Sequence, residues 1–337
     1  MTARPIALLR SDARPAPATI ALSEGTDPRI VEGGLAAVEQ GFARIILVGE
    51  TGAVEAELEK HGAVGREGVT VHDPATSRLL DTFAATYHEL RKHKGVDEAK
   101  ARTAVQDRLV YAAMLVRHGH AVGTVGGAVE TTSDVVRVAI QVIGKAPDAK
   151  LVSSFFLMYP PETAPEGARA MVYADCGLVI DPTAEEMAAL AVDTAASCRA
   201  MLRTAPKVAM LSFSTMGSAR HPMTEKVVKA TAILREAHPD LDADGELQFD
   251  TAFVPAIATR KAPESPVAGQ ANTMVFPNLD AGNIAYKITQ RVAGYTAIGP
   301  VLQGLAHPAN DLSRGCSASD VTEIIAVTIL QAQPAKA

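Results

Sequence analysis

The stretch AVGTVGGAVETTSDVVRVAI, residues 121–140, contains an apolar run, a glycine-rich turn and a helical pattern in immediate succession. Thr131 and Asp134 fit the capping box that opens a helix. The turn is neither G-x-G-x-x-G nor a P-loop, since no Gly-Lys-Ser/Thr follows it. The stretch therefore predicts one β/α unit, whose turn either simply connects strand to helix or presents groups to an anion.

The same alternation of short apolar runs and helical patterns precedes this unit. The runs are TIALS (19–23), RIILVG (44–49) and VTVHD (69–73), and the helical patterns that follow the first and the third are DPRIVEGGLAAVEQG (27–41) and TSRLLDTFAATYHELRKHKG (76–95). Parallel strands that are buried on both faces read as nearly continuous apolar runs. The fold class predicted for this part of the chain is α/β with a parallel sheet.

A second α/β region follows the proline-containing stretch GKAPDAK, residues 144–150. It opens with two strand-like runs, LVSSFFLMYP (151–160) and ARAMVYADC (168–176), whose proline- and glycine-rich connection predicts a hairpin. A last helix, beginning near Ser317, is predicted to pack back on the first region beside the strand AIGPVLQG (297–304). We expect a discontinuous first domain, 1–147 plus 303–337, and a second domain, 148–302, that mediates dimerisation.

Composition restricts the classes of function. The 337 residues, 47% of them hydrophobic, are enough for about two domains. A net charge of −6 argues against a nucleic-acid surface, and no apolar stretch is long enough to span a membrane. The three cysteines lack metal or disulfide spacing, so a reducing, cytoplasmic location is expected.

The segment DLSRGCSASD, residues 311–320, places a hydroxyl, a guanidinium, a thiol and a carboxylate close together in the sequence. Ser317 and Asp320 fit a second capping box, and the N-terminus of the helix behind it attracts anions. Arg314 adds a planar fork of donors that suits phosphate or carboxylate. In the alternative interpretation, Asp320 only caps the helix and Arg314 only pairs with it. Cys316 permits a cysteine-nucleophile hypothesis, although no histidine is near in sequence.

Other candidate contacts are scattered along the chain. Exposed N–H groups of the turn at 126–130, the hydroxyls of Thr131 and Thr132, and Arg137 can together hold a phosphoryl group. The basic cluster LRKHKG (90–95) is either a phosphate handle or a solvated helix end.

On a later helix, Asn283, Tyr286 and Lys287 share one face, as an amphipathic helix alone would also explain. Glu246 and Asp250, together with DCGLVIDPTAEE (175–186), could supply carboxylates for a divalent metal, but DPTAEE is more simply a loop in which Thr183 and Glu186 form a capping box, so no metal site is predicted.

Several long motifs, in this order and spacing, resemble the phosphate acetyltransferase family over most of the chain from about Ile20. They are GGAVETTSDVVR, LSFSTMGSA, DGELQFDTAFVP, KAPESPVAGQANTMVFPNLDAGNIAYKITQR and AIGPVLQGLAHPANDLSRGCS. The chain departs from the family pattern at Ser23, Glu130 and Met216, the last of which replaces a lysine that could contact an anion. It is similar to the short form of the family, which has no added N-terminal regulatory region.

The resemblance implies a two-domain fold similar to isocitrate and isopropylmalate dehydrogenases, an active site in the interdomain cleft, and a homodimer. It implies that CoA, acetyl-CoA, acetyl phosphate and phosphate are substrates, with no metal and no tightly bound cofactor. The implied catalytic residues are Asp320 as base for the CoA thiol, Arg314 for phosphate and developing charge, and Ser313 as their neighbour. The implied substrate-binding residues are Arg137, Arg91, Thr131, Tyr286 and Lys287.

The expected function is therefore reversible acetyl transfer between CoA and phosphate by direct thiolate attack in a ternary complex. Alternatives are a phosphate butyryltransferase, a metal-dependent NAD(P) dehydrogenase on the same architecture, and a non-catalytic acyl-CoA-sensing module. An ordinary thiol (pKa about 8.5) and an ordinary aspartate (about 3.9) differ by about 4.6 units, so complete proton transfer would cost roughly 6 kcal/mol.

Overall fold

A computed structural model describes residues 6–13 and 17–333 of the chain. It divides into two compact units, which are described separately. The discontinuous unit combines Ala7–Pro147 with Leu305–Ala335, and the continuous unit is Asp148–Gly304. Within the described residues, none of the helices combines the length and the apolar content that a membrane crossing requires.

The secondary-structure elements are numbered in chain order. The strands are β1 (Ala18–Leu22), β2 (Ala43–Val48), β3 (Val69–His72), β4 (Gly123–Gly126), β5 (Ser153–Tyr159), β6 (Met171–Ala174), β7 (Val208–Leu211), β8 (Ala243–Leu247), β9 (Thr273–Val275), β10 (Thr296–Gln303) and β11 (Ala309–Asp311). The α-helices are α1 (Ile6–Ala13), α2 (Pro28–Glu39), α3 (Thr51–Lys60), α4 (Leu80–Arg91), α5 (Glu98–Ala104), α6 (Arg108–Arg117), α7 (Thr132–Val138), α8 (Ala184–Leu202), α9 (Pro222–Ala237), α10 (Phe249–Phe253), α11 (Pro255–Lys261), α12 (Leu279–Arg291) and α13 (Ala318–Ala332). A 3-10 turn, Lys92–Lys94, follows α4, and a π-helical turn, Ala139–Ile143, follows α7.

The sheet of the discontinuous unit is parallel throughout, with the strand order β11-β4-β1-β2-β3. The predicted α/β class and the predicted β/α units of this region are confirmed. The register pairs Asp311 with Gly126 and Leu22 with Val125, so three of the strands end at one edge of the sheet. The loops that follow β1, β4 and β11 therefore meet there, because the carboxyl ends of parallel strands share an edge.

Helix α13 packs against α2 and β4 of the discontinuous unit, as expected for a helix that returns to the first region. Its residues 321–330 are all buried. Gly33 of α2 permits the close approach, since a Cβ there would lie 2.5 Å from the Ala318 carbonyl oxygen. The Thr322 hydroxyl donates to the Gly33 carbonyl at 3.0 Å and fixes the two helices in register.

The prediction that the strand AIGPVLQG (297–304) lies beside α13 is wrong. AIGPVLQ forms β10, which pairs antiparallel with β5 in the continuous unit. Strand periodicity specifies which faces are buried but not which sheet a strand joins, and β10 finds its hydrogen-bond partners in β5.

The sheet of the continuous unit is mixed, with the order β10-β5-β6-β9-β7-β8. Strands β5 and β6 pair antiparallel, which confirms the predicted hairpin. The remaining pairs, from β6 through β9 and β7 to β8, are parallel. A capping box of Thr183 and Glu186 opens α8, as the sequence predicts.

Candidate active site

The segment 311–320 runs from the end of β11 into α13 through a tight turn. The Leu312 N–H donates to the Gly126 carbonyl at 2.8 Å, which extends the β11–β4 pairing by one residue. The chain then turns, with the Cys316 N–H donating to the Ser313 carbonyl at 2.8 Å. The Ser313 hydroxyl accepts from the Gly315 N–H at 3.2 Å, and both Ser313 and Arg314 are exposed. The turn thus presents a hydroxyl and a guanidinium to solvent.

The capping box predicted at the start of α13 is confirmed. The Ser317 hydroxyl accepts from the Asp320 N–H at 3.3 Å, and Asp320 Oδ2 accepts from the Ser317 N–H at 2.8 Å. The Ser317 hydroxyl also donates to Asp320 Oδ2 at 2.9 Å. Since Asp320 is exposed and these bonds use one oxygen, its Oδ1 is open to a substrate. The Asp320 carboxylate can therefore cap the helix with one oxygen and contact a substrate with the other.

Arg314 does not pair with Asp320. Within residues 6–13 and 17–333 its exposed guanidinium forms neither a hydrogen bond nor an ion pair. The alternative in which Arg314 only neutralises Asp320 is therefore wrong in this structure. A guanidinium without a protein partner keeps all its donors for an anionic ligand.

Sequence reasoning misses Arg29, which connects three segments of backbone. Its Nη1 donates to the carbonyl of Arg314 at 2.7 Å and to that of Cys316 at 3.3 Å. Its Nη2 donates to the Ala128 carbonyl at 2.8 Å and to Asp27 Oδ2 at 2.8 Å. The side-chain hydrogen bonds from Arg29 lower the pKa of the Asp27 carboxyl and keep that partner charged. One guanidinium thus holds the turn at 313–316 against the glycine-rich loop.

The glycine-rich loop does not offer free N–H groups to a phosphate, contrary to the sequence-based expectation. The carboxylate of Glu24, a residue that is 1% exposed, accepts from the N–H groups of Ala128, Val129 and Glu130 at 2.8–2.9 Å. An internal carboxylate therefore occupies the position predicted for a ligand anion. A phosphoryl group is therefore expected to bind at exposed side chains and not at these N–H groups.

Thr131 and Arg137 lie together at the start of α7. Thr131 caps the helix, as predicted, and its hydroxyl donates to Asp134 Oδ2 at 2.7 Å. Arg137 Nη2 donates to Asp134 Oδ1 at 2.6 Å. The hydrogen bond from Thr131, followed by that from Arg137, lowers the pKa of the Asp134 carboxyl. Arg137 is exposed but already paired, so binding an anion requires it to share or exchange this partner.

Arg91 ends α4 in the discontinuous unit. Its Nε is buried and has no hydrogen-bond partner among the described residues, whereas the neighbouring Lys92 is paired with Glu89 at 2.5 Å. Part of the predicted basic cluster is therefore an ordinary surface ion pair, whereas Arg91 forms no ion pair with the described residues.

Tyr286 and Lys287 lie on α12 of the continuous unit. The Tyr286 ring stacks on Phe156 with 4.0 Å between ring centroids. Lys287 Nζ lies 4.8 Å from the Tyr286 ring centroid and donates to the Asn283 side-chain oxygen at 2.6 Å. Asn283 in turn donates to the Cys176 carbonyl at 3.0 Å, so the polar face predicted for this helix is an ordered network.

Two further groups complete the neighbourhood of the turn at 313–316. Cys316 is 7% exposed, and this burial raises the pKa of its thiol, which disfavours the thiolate that a nucleophile requires. Asp311, which sequence reasoning also misses, is fully buried and accepts from the Thr132 hydroxyl at 2.6 Å. The discontinuous unit thus carries Ser313, Arg314 and Asp320 at the start of α13 and Thr131 with Arg137 on the α7 side, and Arg29 joins the two loops that precede these helices.

Replacing Arg29 by methionine tests the connecting role of its guanidinium. We expect Arg29→Met to lower the free energy of unfolding by about 2 kcal/mol, because hydrogen bonds to a charged group are lost and their carbonyl partners remain. Hydrogen exchange should also accelerate at the Cys316 amide. Arg44→Met is the control, since Arg44 is exposed and its side chain makes one long hydrogen bond, 3.4 Å to Thr19. Equal stability of the two variants would contradict this role.

Comparison with known proteins shows which family the chain belongs to. The sequence profile of the family described as Phosphate acetyl/butaryl transferase matches residues 6–329. The phosphate acetyltransferase of Paracoccus denitrificans is 49% identical over 312 residues, which cover 93% of this chain and 94% of that protein. That of Acetivibrio thermocellus is 46% identical over 320 residues, which cover 95% of each.

A solved phosphotransacetylase from Streptococcus pyogenes matches the structure with a TM-score of 0.90 and 41% identity, over 98% of this chain and 99% of that one. The resemblance found in the sequence motifs is thereby confirmed, and the chain belongs to the phosphate acetyl/butaryl transferase family.

Proposed function

We propose that the chain is a phosphate acetyltransferase, an acyltransferase that moves an acetyl group reversibly between CoA and inorganic phosphate. The observation that carries this function is the exposed guanidinium of Arg314 beside the start of α13, which has no partner among the described residues, in a chain 46–49% identical to phosphate acetyltransferases over nearly its whole length. Neither the butyryltransferase nor the acyl-CoA-sensing alternative is favoured by these relatives.

In the proposed reaction, the CoA sulfur attacks the carbonyl carbon of acetyl phosphate while the carbonyl C–O bond to phosphate breaks. Asp320 accepts the thiol proton on Oδ1, the oxygen that the capping box leaves open. Arg314 binds the phosphate and the charge that develops on it, and Ser313 hydrogen-bonds beside it. Holding both substrates in one site removes part of the entropic cost of their encounter.

We assign the remaining predicted residues to substrate binding. Arg91 and Arg137 of the discontinuous unit suit the phosphates of CoA, because a guanidinium forms two parallel hydrogen bonds with phosphate oxygens. Thr131 holds Asp134 and through it orients Arg137. Tyr286 and Lys287 of α12 are proposed acetyl phosphate contacts. A fold similar to the isocitrate and isopropylmalate dehydrogenases and a cytoplasmic location stay predictions.

The first experiment combines the chain with CoA and an acyl phosphate and follows thioester absorbance over time. We expect rapid thioester formation with acetyl phosphate, and kcat/KM that falls from acetyl through propionyl to butyryl phosphate. A preference for butyryl phosphate would favour the butyryltransferase alternative. CoA binding without any turnover would contradict the proposed function and favour a sensing module.

Asp320→Asn and Arg314→Ala should each lower kcat by roughly 10²- to 10³-fold, because each removes a group that stabilises charge in the transition state. Circular dichroism should show that both variants remain folded, since asparagine can still accept the Ser317 N–H bond and Arg314 is exposed. Glu225→Gln is the matched control, an exposed acid in the first turn of α9. Near wild-type turnover of either active-site variant would contradict these roles.

We also propose a homodimer that forms through the continuous unit. Ile284 and Ile288 of α12 and Val292, the residue that caps its C-terminus, recur every four residues and are each more than half exposed, an arrangement typical of a helix face that packs against a partner. Ile288→Glu should dissociate the dimer in sedimentation velocity, because a charge would be buried at its centre. Val64→Glu, at an exposed apolar position in the discontinuous unit, should leave the oligomeric state unchanged. A wild-type monomer would contradict the proposal.

A further inference from the structure

Asp311 is a buried carboxyl with one satisfied and one unsatisfied oxygen. Its Oδ2 accepts from the Thr132 hydroxyl at 2.6 Å, the separation of a strong hydroxyl–carboxylate hydrogen bond. Its Oδ1 is fully buried and has no hydrogen-bond partner within the described residues. A Cβ at Gly127, whose φ is +100°, would lie 2.1 Å from Oδ1, so only glycine permits this arrangement.

Burial has a direct consequence for the charge of this carboxyl. Desolvation, and to a smaller extent the negative charge of Glu24, raise the pKa of Asp311 to about 7, against the hydrogen bonds from Thr132 and Leu312 that lower it. Both protonation states of Asp311 are therefore populated near neutral pH.

Few ionisable groups on the elements that surround Asp311 lie near its carboxyl. Strand β4 carries none in its sequence GTVG, and α13 meets β11 through Thr328 and Gln331, which accept from Asn310. On α7, Asp134 and Arg137 are paired with each other. Glu24 is thus the charged neighbour that acts on the Asp311 carboxyl.

Thr132 connects this buried carboxyl to solvent, because Thr132 is exposed. A hydroxyl has one hydrogen. While Asp311 is ionised, that hydrogen points to Oδ2 and Thr132 can only accept a hydrogen bond from a ligand. Once Asp311 is protonated, the carboxyl can donate to Thr132, and the Thr132 hydrogen becomes available to a ligand oxygen. The protonation of Asp311 therefore decides whether Thr132 acts as acceptor or donor.

The segment carrying Thr132 lies against the segment carrying Arg314. The Leu312 N–H donates to the Gly126 carbonyl, so the two chains are hydrogen-bonded just before each turns. Beyond that point the guanidinium of Arg29 donates to both the Ala128 and the Arg314 carbonyls, at 2.8 and 2.7 Å. The Arg29 guanidinium therefore bridges the backbones at Ala128 and Arg314. In the proposed function, Arg314 binds the phosphate.

The proton balance of the proposed reaction calls for a donor at the phosphate. When the C–O bond of acetyl phosphate breaks, its electron pair stays on the phosphate oxygen, which must gain a proton to leave as hydrogen phosphate. The thiol proton is taken up on the other side of the reacting carbon by Asp320. A general acid works best when its pKa lies near the working pH.

We propose that Thr132, positioned by Asp311, donates a proton to the leaving phosphate as the carbonyl C–O bond breaks. The Thr132 hydrogen passes to the phosphate oxygen, and the Asp311 carboxyl proton passes to the Thr132 oxygen, so that Asp311 ends as a carboxylate. Water then reprotonates Asp311 and removes the proton from Asp320, which balances the cycle. In the reverse direction ionised Asp311 withdraws a proton from hydrogen phosphate through Thr132. This inference rests on the proposed function.

The test measures kcat against pH in both directions for the full chain with acetyl phosphate plus CoA, and with acetyl-CoA plus phosphate. For the wild type, we expect thioester synthesis to fall as pH rises through about 7, because the donor loses its proton, and the reverse reaction to rise over the same range. Thr132→Val and Asp311→Asn should each lower kcat by roughly 10²-fold, with KM for acetyl phosphate little changed. Both variants should lose the two opposed pH dependences.

Thr132→Ser retains the hydroxyl and should restore both the rate and the pH dependences. Thr103→Val is the control, since Thr103 is exposed on α5 and its hydroxyl bonds only within its own helix. If Asp311→Asn fails to fold, Thr132→Val carries the test, because that side chain is exposed.

The proposal is overturned if Thr132→Val keeps wild-type kcat, or if its kcat falls equally at every pH without loss of the opposed dependences, as a purely structural defect would produce. Absence of thioester formation by the wild type would instead overturn the proposed function. An active wild type with an inactive Asp320→Asn and a fully active Thr132→Val would overturn this inference alone.

Discussion

The guanidinium of Arg29 is the contact on which the geometry of the candidate site depends. It donates to the carbonyls of Arg314, Cys316 and Ala128, and Asp27 holds it in place. Neither the turn at 313–316 nor the loop at 127–131 belongs to a helix or a strand, so sheet and helix bonds do not fix them. A planar fork of donors can bind several backbone acceptors at defined angles, which a lysine cannot do. Arg29 thus holds the turn that exposes the Arg314 side chain, through hydrogen bonds to the backbone of that turn.

The acidic residues of the discontinuous unit divide into two groups by what surrounds them. Glu24 is buried but accepts three backbone N–H groups, so its charge is compensated by hydrogen bonds. Asp311 is buried with one oxygen that accepts no hydrogen bond from the part of the chain that the structure describes, and its pKa rises to about 7. The Glu24 carboxylate organises a loop through these bonds, whereas an incompletely satisfied carboxyl such as that of Asp311 can exchange a proton. Sites of proton transfer are expected among residues of the second kind.

The features that could be predicted from the sequence are those determined by neighbours along the chain. The β/α units, the capping box at Ser317 and the N-cap at Thr131 depend on bonds within a few residues and are found, although Asp134 does not complete a capping box by accepting from the Thr131 N–H. Strand β10 was assignable as a strand but not to its sheet, because β5 lies far away in sequence. Arg29 and Asp311 were not recognisable, since their decisive partners are 285 and 179 residues away. The family motifs indicated Asp320 and Arg314, and the structure adds what supports them.

The discontinuous unit has a consequence for the order in which the chain can fold. Strands β1 to β4 are synthesised early, but β4 obtains its neighbour β11 only after the entire continuous unit has been made. Until then β4 is an unpaired edge, and α2 lacks the α13 surface that covers Gly33. Unpaired edges and uncovered apolar faces promote association between nascent chains. By this argument the nascent chain is most prone to association before α13 has been made.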